Sequence, residues 1–291
     1  MNFTDEAVYI AEGEKHGAYI GIKRYAAVPL SPGMIENGAI ADEAGLTELL
    51  EDRLAAGGFV RKDAVITVVS TLINSSEHIL PYTKKKRELE NMLRAELSNS
   101  LADGENVFDY EEPVAVSEDG AKKSRVSAFT APVSLVSAYK KLLGSLKFKN
   151  SVFSVTKSCM NAYCAAAGDA VSDSIFVYAD KKLMTLYITV AGGSLMARQR
   201  PAQQFEGASY SAELSAQVVR LMQFKQISVP GSSVSQVLLF GSEATEDNLH
   251  EIEETAGVHA GFMQLPGAIK ATEDLDAAVY MWAALALYAG R

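Results

Sequence analysis

The residues best placed to do chemistry lie between Ser174 and Arg200, SIFVYADKKLMTLYITVAGGSLMARQR, a run of strands broken by two tight turns. The first turn is Asp180-Lys181-Lys182, and whether it could serve as a phosphate site depends on its backbone. It has no glycine, and without one the backbone N–H groups of a turn approach phosphate poorly. The second turn, Gly192-Gly193, has paired glycines as a phosphate loop would, but between two alternating strands it reads as a plain hairpin turn. Gly241-Ser242 follows a buried strand. Either it allows close backbone approach to a ligand, or it turns strand into helix through an unusual φ. The run Lys84-Lys85-Lys86-Arg87 sits near a helix N-terminus, where the macrodipole disfavours positive charge by a few tenths of a kcal/mol each. It is either a solvated face or an electrostatic contact for an acidic segment or an anionic membrane surface. Other reactive residue types are dispersed. His16, His78, His250 and His259 show no ligand spacing, and Glu51-Asp52 reads as solvated helix surface. Cys159 and Cys164, roughly 140° apart on a helix, read as buried small hydrophobes.

The elements that must carry these residues can be read from periodicity. At 291 residues, 48% apolar and 22% charged, the chain can bury a large core, and its net charge of −9 argues against a nucleic-acid binder. The acidic start (Asp5, Glu6) lacks the apolar region of a signal peptide, and no window reaches the length of a membrane span. DAAVYMWAALALYAG near the C-terminus reads as a buried core helix, so a cytoplasmic protein is expected. Residues 7–11 and 18–28 suggest a hairpin; Leu46, Leu49, Leu50 and Leu54 mark a helix ending at Gly57-Gly58; AVITVVS (64–70) is a buried strand. Between 75 and 147 the texture changes to a charged helix, two strands and a further helix opened by Pro132, as in a small inserted α+β unit. A strand at 150–155 and an Ala-rich helix at 157–167 return to the main body. The second half then repeats the strand-rich opening, with a long helix at 208–225, the strand VSQVLLF (234–240), and a helix capped by Thr245 and closed by Gly257.

This order resembles the PilM family, the actin-like cytoplasmic proteins of type IV pilus assembly, and more distantly the division protein FtsA. Four segments carry the resemblance: PLSPGMIENGAIAD (29–42); Leu80-Pro81 with Glu88-Leu89 and Glu96; VSAFTAPVSLVSAYKKLLGSLKFKNSVFSVTKSCMNAYCA (126–165); and QVLLFGSEATEDNLHEIEETAGV (236–258). It implies an α/β, actin-like (ribonuclease H-like) duplicated fold with an inserted α+β subdomain and a reduced second-half subdomain. On that reading the first half is 1–74 continued at 148–172, the insert is 75–147, and the second half is 173–291. The resemblance also implies a partner. The short cytoplasmic tail of a bitopic membrane protein, PilN-like, would dock in a groove near Leu72 and Ile73 beside the insert; Lys84, Lys85 and Lys86 join them as candidate partner contacts on the electrostatic reading of the basic run alone. The chain would then sit at the inner face of the membrane through its partner, linked to the pilus or secretion motor.

The departures concern nucleotide chemistry. Actin-like ATPases carry an Asp-x-Gly hairpin in each half, but here MNFTDEAV has no glycine and neither register of Tyr178–Lys182 restores the pair. Between Arg200 and the helix at 208 the family's usual inserted wall is absent. No cofactor is therefore expected, with ATP and magnesium the exception to test, and Gly241-Ser242 would be a vestigial adenosine loop. The resulting expectation is a non-catalytic scaffold. The alternatives are a weak ATPase using Lys181 or Lys182, and a filament former related to FtsA.

Overall fold

Two sheets of the same connectivity organise the chain. The computed structural model describes all residues except 18, 102–103, 119, 172, 190–194, 202–208, 273 and 291. β1 (Asn2–Phe3), β2 (Ala7–His16) and β3 (Tyr19–Pro29) form an antiparallel meander, followed by a two-strand hairpin, β4 (Ile35–Glu36) and β5 (Ala39–Ile40). Asp42 then caps α1 (Glu43–Ala56) by accepting from the Gly45 amide, and Leu46, Leu50 and Leu54, one face at i, i+4, i+8, are buried. β6 (Asp63–Val68) returns parallel to β1 with Asn2 opposite Thr67.

Next comes the insert: β7 (Asn74–Pro81), α2 (Lys86–Glu96), α3 (Ser98–Leu101), β8 (Asn106–Tyr110), β9 (Val114–Glu118) and β10 (Ala121–Pro132). β10 is central, with β7 along one side and β8 and β9 end to end along the other. Leu89, Leu93 and Leu97 pack on Leu80, Val126 and Ala128 to form a core of its own. β7 was not expected from the sequence. Its NSSEHILP is mostly polar because it pairs on one side only.

α4 (Val133–Ser145) corrects the expected insert boundary at 147. Its Leu135, Tyr139, Leu142 and Leu143 lie in the first-half core with Phe3, Leu46 and Ile66, and the Tyr139 hydroxyl donates to the Gly38 carbonyl at 2.9 Å. β11 (Asn150–Ser154) joins β6 in parallel and leads into α5 (Thr156–Ala167).

The second half repeats the path: β12 (Ser174–Ala179), β13 (Leu183–Thr189), β14 (Leu195–Pro201), α6 (Tyr210–Ser228), β15 (Gln236–Phe240), α7 (Glu246–Ala256) and β16 (His259–Phe262). Its sheet runs β14-β13-β12-β15-β16, the counterpart of β3-β2-β1-β6-β11. β17 (Ile269–Lys270) then adds to the free edge of β3, and α8 (Ala277–Ala289) follows. Tyr280 through Ala286 of α8 are all buried, and the Trp282 ring packs on Phe240, Tyr178 and Tyr187 at centroid distances of 4.9, 5.7 and 5.9 Å. Each such aromatic contributes about 1.5–3 kcal/mol by burial. This apolar helix is therefore core, seated with α5 against both sheets. Among the described residues no helix is long and apolar enough to cross a membrane.

Candidate functional site

The duplicated topology brings the two meander turns, β1–β2 and β12–β13, to a common cleft of about 1210 Å³. The turns are built alike. In the first, the Thr4 amide donates to the Ala7 carbonyl at 3.0 Å, and the Thr4 hydroxyl oxygen accepts from the amides of Glu6 and Ala7 at 3.3 and 3.0 Å. In the second, the Asp180 amide donates to the Leu183 carbonyl at 3.1 Å, and Asp180 Oδ1 accepts from the amides of Lys182 and Leu183 at 2.8 and 2.7 Å. Thr4 and Asp180 are thus structural equivalents. Each uses its side chain to close its own turn.

This geometry bears on phosphate chemistry. A phosphate hairpin must present free amides to its ligand. Here the amides of residues 6, 7, 182 and 183 already have an internal acceptor. The carboxylates are likewise engaged. Asp180 Oδ2 accepts from the Tyr178 hydroxyl at 2.7 Å, and Asp5 accepts from the amides of Asn37 and Gly38 at 2.7 and 2.9 Å. Burial raises the Asp180 carboxyl above the usual range, opposed by those three hydrogen bonds. Asp5 pins the β4–β5 turn, whose Asn37 and Gly38 both have positive φ (48° and 77°). A side chain at Gly38 would strike Ser70 and Val68. The cleft wall carries Asp5, Glu6, Glu36 and Asp180 against Lys181 and Lys182, and Lys181 Nζ is 3.9 Å from Glu6. Four carboxylates facing two ammoniums disfavour a polyanion.

The other sequence-derived residues fall elsewhere. Gly241 has φ +109°, and a Cβ there would lie 2.2 Å from the Ala179 carbonyl oxygen. Its amide donates to the Ala278 carbonyl at 3.0 Å, so its conformation serves the close approach of the chain leaving β15 to the end of its parallel neighbour β12. Ser242 is exposed, and neither residue lines the cleft. Gly192-Gly193 and the 202–208 connection lie outside the described residues. Leu72 is exposed and Ile73 half-buried against the first-half core. Lys85 pairs with Glu88 at 2.7 Å and Lys86 with Glu90 at 3.9 Å, all on exposed surface. β7 separates Leu72-Ile73 from Lys84–Lys86 by about 25 Å of strand, so the two groups lie at opposite ends of that strand. Burial raises both thiols, Cys159 to about 12 and Cys164 to about 11, which leaves them poor nucleophiles.

The sequence did not reveal a groove of about 370 Å³ between the insert sheet and α5. Val114, Cys164, Ala165 and Leu195 form its apolar part, and Glu77, Glu111 and Glu112 outnumber Arg125 at its polar edge. Asn161 on α5 donates to Glu111 at 2.7 Å across it.

No family model and no curated protein matches the sequence. Solved structures do match the fold. A chain of the PilM–PilN type IV pilus biogenesis complex superposes with a TM-score of 0.78 over 99% of this chain and 96% of that one, at 16% identity. The fold is actin-like. The cytoplasmic domain of EpsL, an inner membrane component of the type II secretion system of Vibrio cholerae, gives a TM-score of 0.49 at 9% identity over 100% of this chain and 92% of that one. The AlfA filament bound to AMPPNP gives 0.35 at 12% identity over 84% and 66%. The duplicated fold expected from residues 29–42, 80–96, 126–165 and 236–258 is therefore the fold observed.

Proposed function

We propose that this protein is a cytoplasmic, non-hydrolysing scaffold of a type IV pilus or related secretion platform. It holds the short cytoplasmic tail of a bitopic, PilN-like membrane protein and couples it to motor components at the inner face of the membrane. The single observation that carries the non-hydrolysing part is the self-closure of both cleft turns by Thr4 and Asp180. The partner part is supported by the PilM–PilN fold match and by the groove between the insert and α5. Its apolar floor suits an extended tail, and its acidic edge suits the Lys and Arg residues that flank a span on its cytoplasmic side.

The test uses the cytoplasmic tail of a small bitopic protein encoded beside this gene, as a synthetic peptide titrated into the purified chain by calorimetry. A saturable complex weakened at least about tenfold by Glu112→Lys is expected. Absence of binding, or binding indifferent to Glu112→Lys and Val114→Asp, overturns the groove assignment.

A further inference from the structure

A second cavity, of about 140 Å³, lies where the first half, the insert and the second half meet. Hydroxyls, side-chain amides and one ammonium make it strongly polar. α5 opens into it through Val155, Thr156 and Lys157. Val155 occupies the N-cap position and has no side-chain oxygen, so no side chain caps the first-turn amides of this twelve-residue helix. Uncapped amides at a helix start carry the positive end of the macrodipole.

Thr185 enters from the opposite wall. β13 is paired on both edges, with β12 and β14, so only its side chains can face the cavity. Met184, Leu186 and Ile188 point to the α6 side, which turns Leu183, Thr185 and Tyr187 the other way. Thr185 is 3% exposed, and its hydroxyl has no hydrogen-bond partner among the described residues. A hydroxyl without a protein partner in so enclosed a position is available to donate to a ligand or an ordered water.

Two further donors face the same space. Lys157 is 5% exposed, and its Nζ gives one bond to Glu77 Oε1 at 2.6 Å. An ammonium has three N–H groups, so two remain. The Thr156 hydroxyl accepts from Tyr187 at 3.1 Å and keeps its own proton to donate. No carboxylate lines the cavity.

We propose that this cavity binds a tetrahedral oxyanion of the phosphate class, held by the first-turn amides of α5, the Lys157 ammonium and the hydroxyls of Thr156 and Thr185. The volume suits this ligand: at roughly 30 Å³ per water it holds four or five waters, about the count of heavy atoms in phosphate. The anion would tie α5 in the first half to β13 in the second, so that occupancy sets how firmly the halves are clamped. This site is separate from the two self-closed turns, whose Asp5–Ala7 and Asp180–Leu183 line the large cleft.

The experiment is calorimetric titration of the full chain with inorganic phosphate at fixed ionic strength, with thermal unfolding alongside. A saturable single-site isotherm and a phosphate-dependent rise in Tm are expected. Thr185→Val keeps the shape and removes only an unpaired hydroxyl, so it should fold at least as well as the parent in phosphate-free buffer and yet bind phosphate at least about tenfold more weakly. Removing Lys157 is a poorer test because it strands Glu77. No saturable phosphate binding into the tens of millimolar, or Thr185→Val binding like the parent, overturns the proposal. A parallel arm with magnesium and ATP identifies the source. If ATP binds and Thr185→Val abolishes that binding, the site stands as a receptor for a nucleotide's terminal phosphate, and the non-nucleotide part of the proposed function falls instead.

Discussion

Replacing Asp180 by alanine removes three interactions at once. The amides of Lys182 and Leu183 lose their acceptor, and the Tyr178 hydroxyl loses its partner at 2.7 Å. Tyr178 and Leu183 are 4% and 5% exposed, so water reaches the freed groups poorly. Each stranded donor costs about 1–3 kcal/mol, and relief of the buried carboxylate's desolvation returns part of this, which leaves a net loss of about 2–4 kcal/mol. For a chain of this size that is a fall in Tm of roughly 4–10 °C.

The assay is built in. Trp282 is the sole tryptophan, and its ring lies 5.7 Å from Tyr178, so its fluorescence in a urea titration reports on this turn directly. Asp180→Asn keeps an acceptor and should lose under about 1 kcal/mol. The pH dependence has a defined sign. Burial raises the folded-state carboxyl, so the contribution of Asp180 is fully present below the unfolded pKa and falls as pH rises through the raised folded value. The stability of the parent relative to Asp180→Asn should therefore decline as pH rises above the ordinary aspartate range of about 4. An Asp180→Ala protein within about 0.5 kcal/mol of the parent would refute the reasoning, because it would mean the turn closes without its cap.

Three further outcomes follow from the same geometry. Gly241→Ala should lose about 3 kcal/mol or more, because its Cβ meets the Ala179 carbonyl at 2.2 Å under a φ of +109°; soluble yield and Tm check this. Tyr139→Phe should cost about 1–2 kcal/mol by urea titration, since it strands the buried Gly38 carbonyl while leaving the ring contacts with Phe3 and Phe153. Lys84→Glu with Lys85→Glu and Lys86→Glu should shift stability by no more than about 0.5 kcal/mol, since their pairs are exposed; retention of anionic vesicles by the parent but not the triple variant would mark the run as a membrane contact.

Much of the fold was legible because local chemistry agreed with the final packing. Thr245 accepts from Asn248 at the start of α7, and Gly257 ends it in the left-handed region, as their residue types suggest. α8 is apolar on every face and is buried on nearly every face. The misses have physical causes. β7 carries little apolar alternation because it pairs on one side only. The apolar face of α4 announces burial but not which of two adjacent cores receives it.

The cleft was half legible. The missing glycines could be read, and the Thr4-to-Ala7 and Asp180-to-Leu183 spacings are those of side-chain-closed turns. What could not be read is that Asp5 reaches the amides of residues 32 and 33 positions away. Nothing local encodes such a contact. The same holds for the cavity at Thr185, whose lining comes from segments as far apart as Val68 and Gln199.

Titration of magnesium and ATP into the purified chain tests most directly whether the turns of this actin-like cleft receive nucleotide. No saturable heat and no rise in Tm are expected at millimolar ATP, because the amides of residues 6, 7, 182 and 183 are already bonded. A magnesium-dependent, saturable isotherm abolished by Lys181→Ala with Lys182→Ala would contradict it.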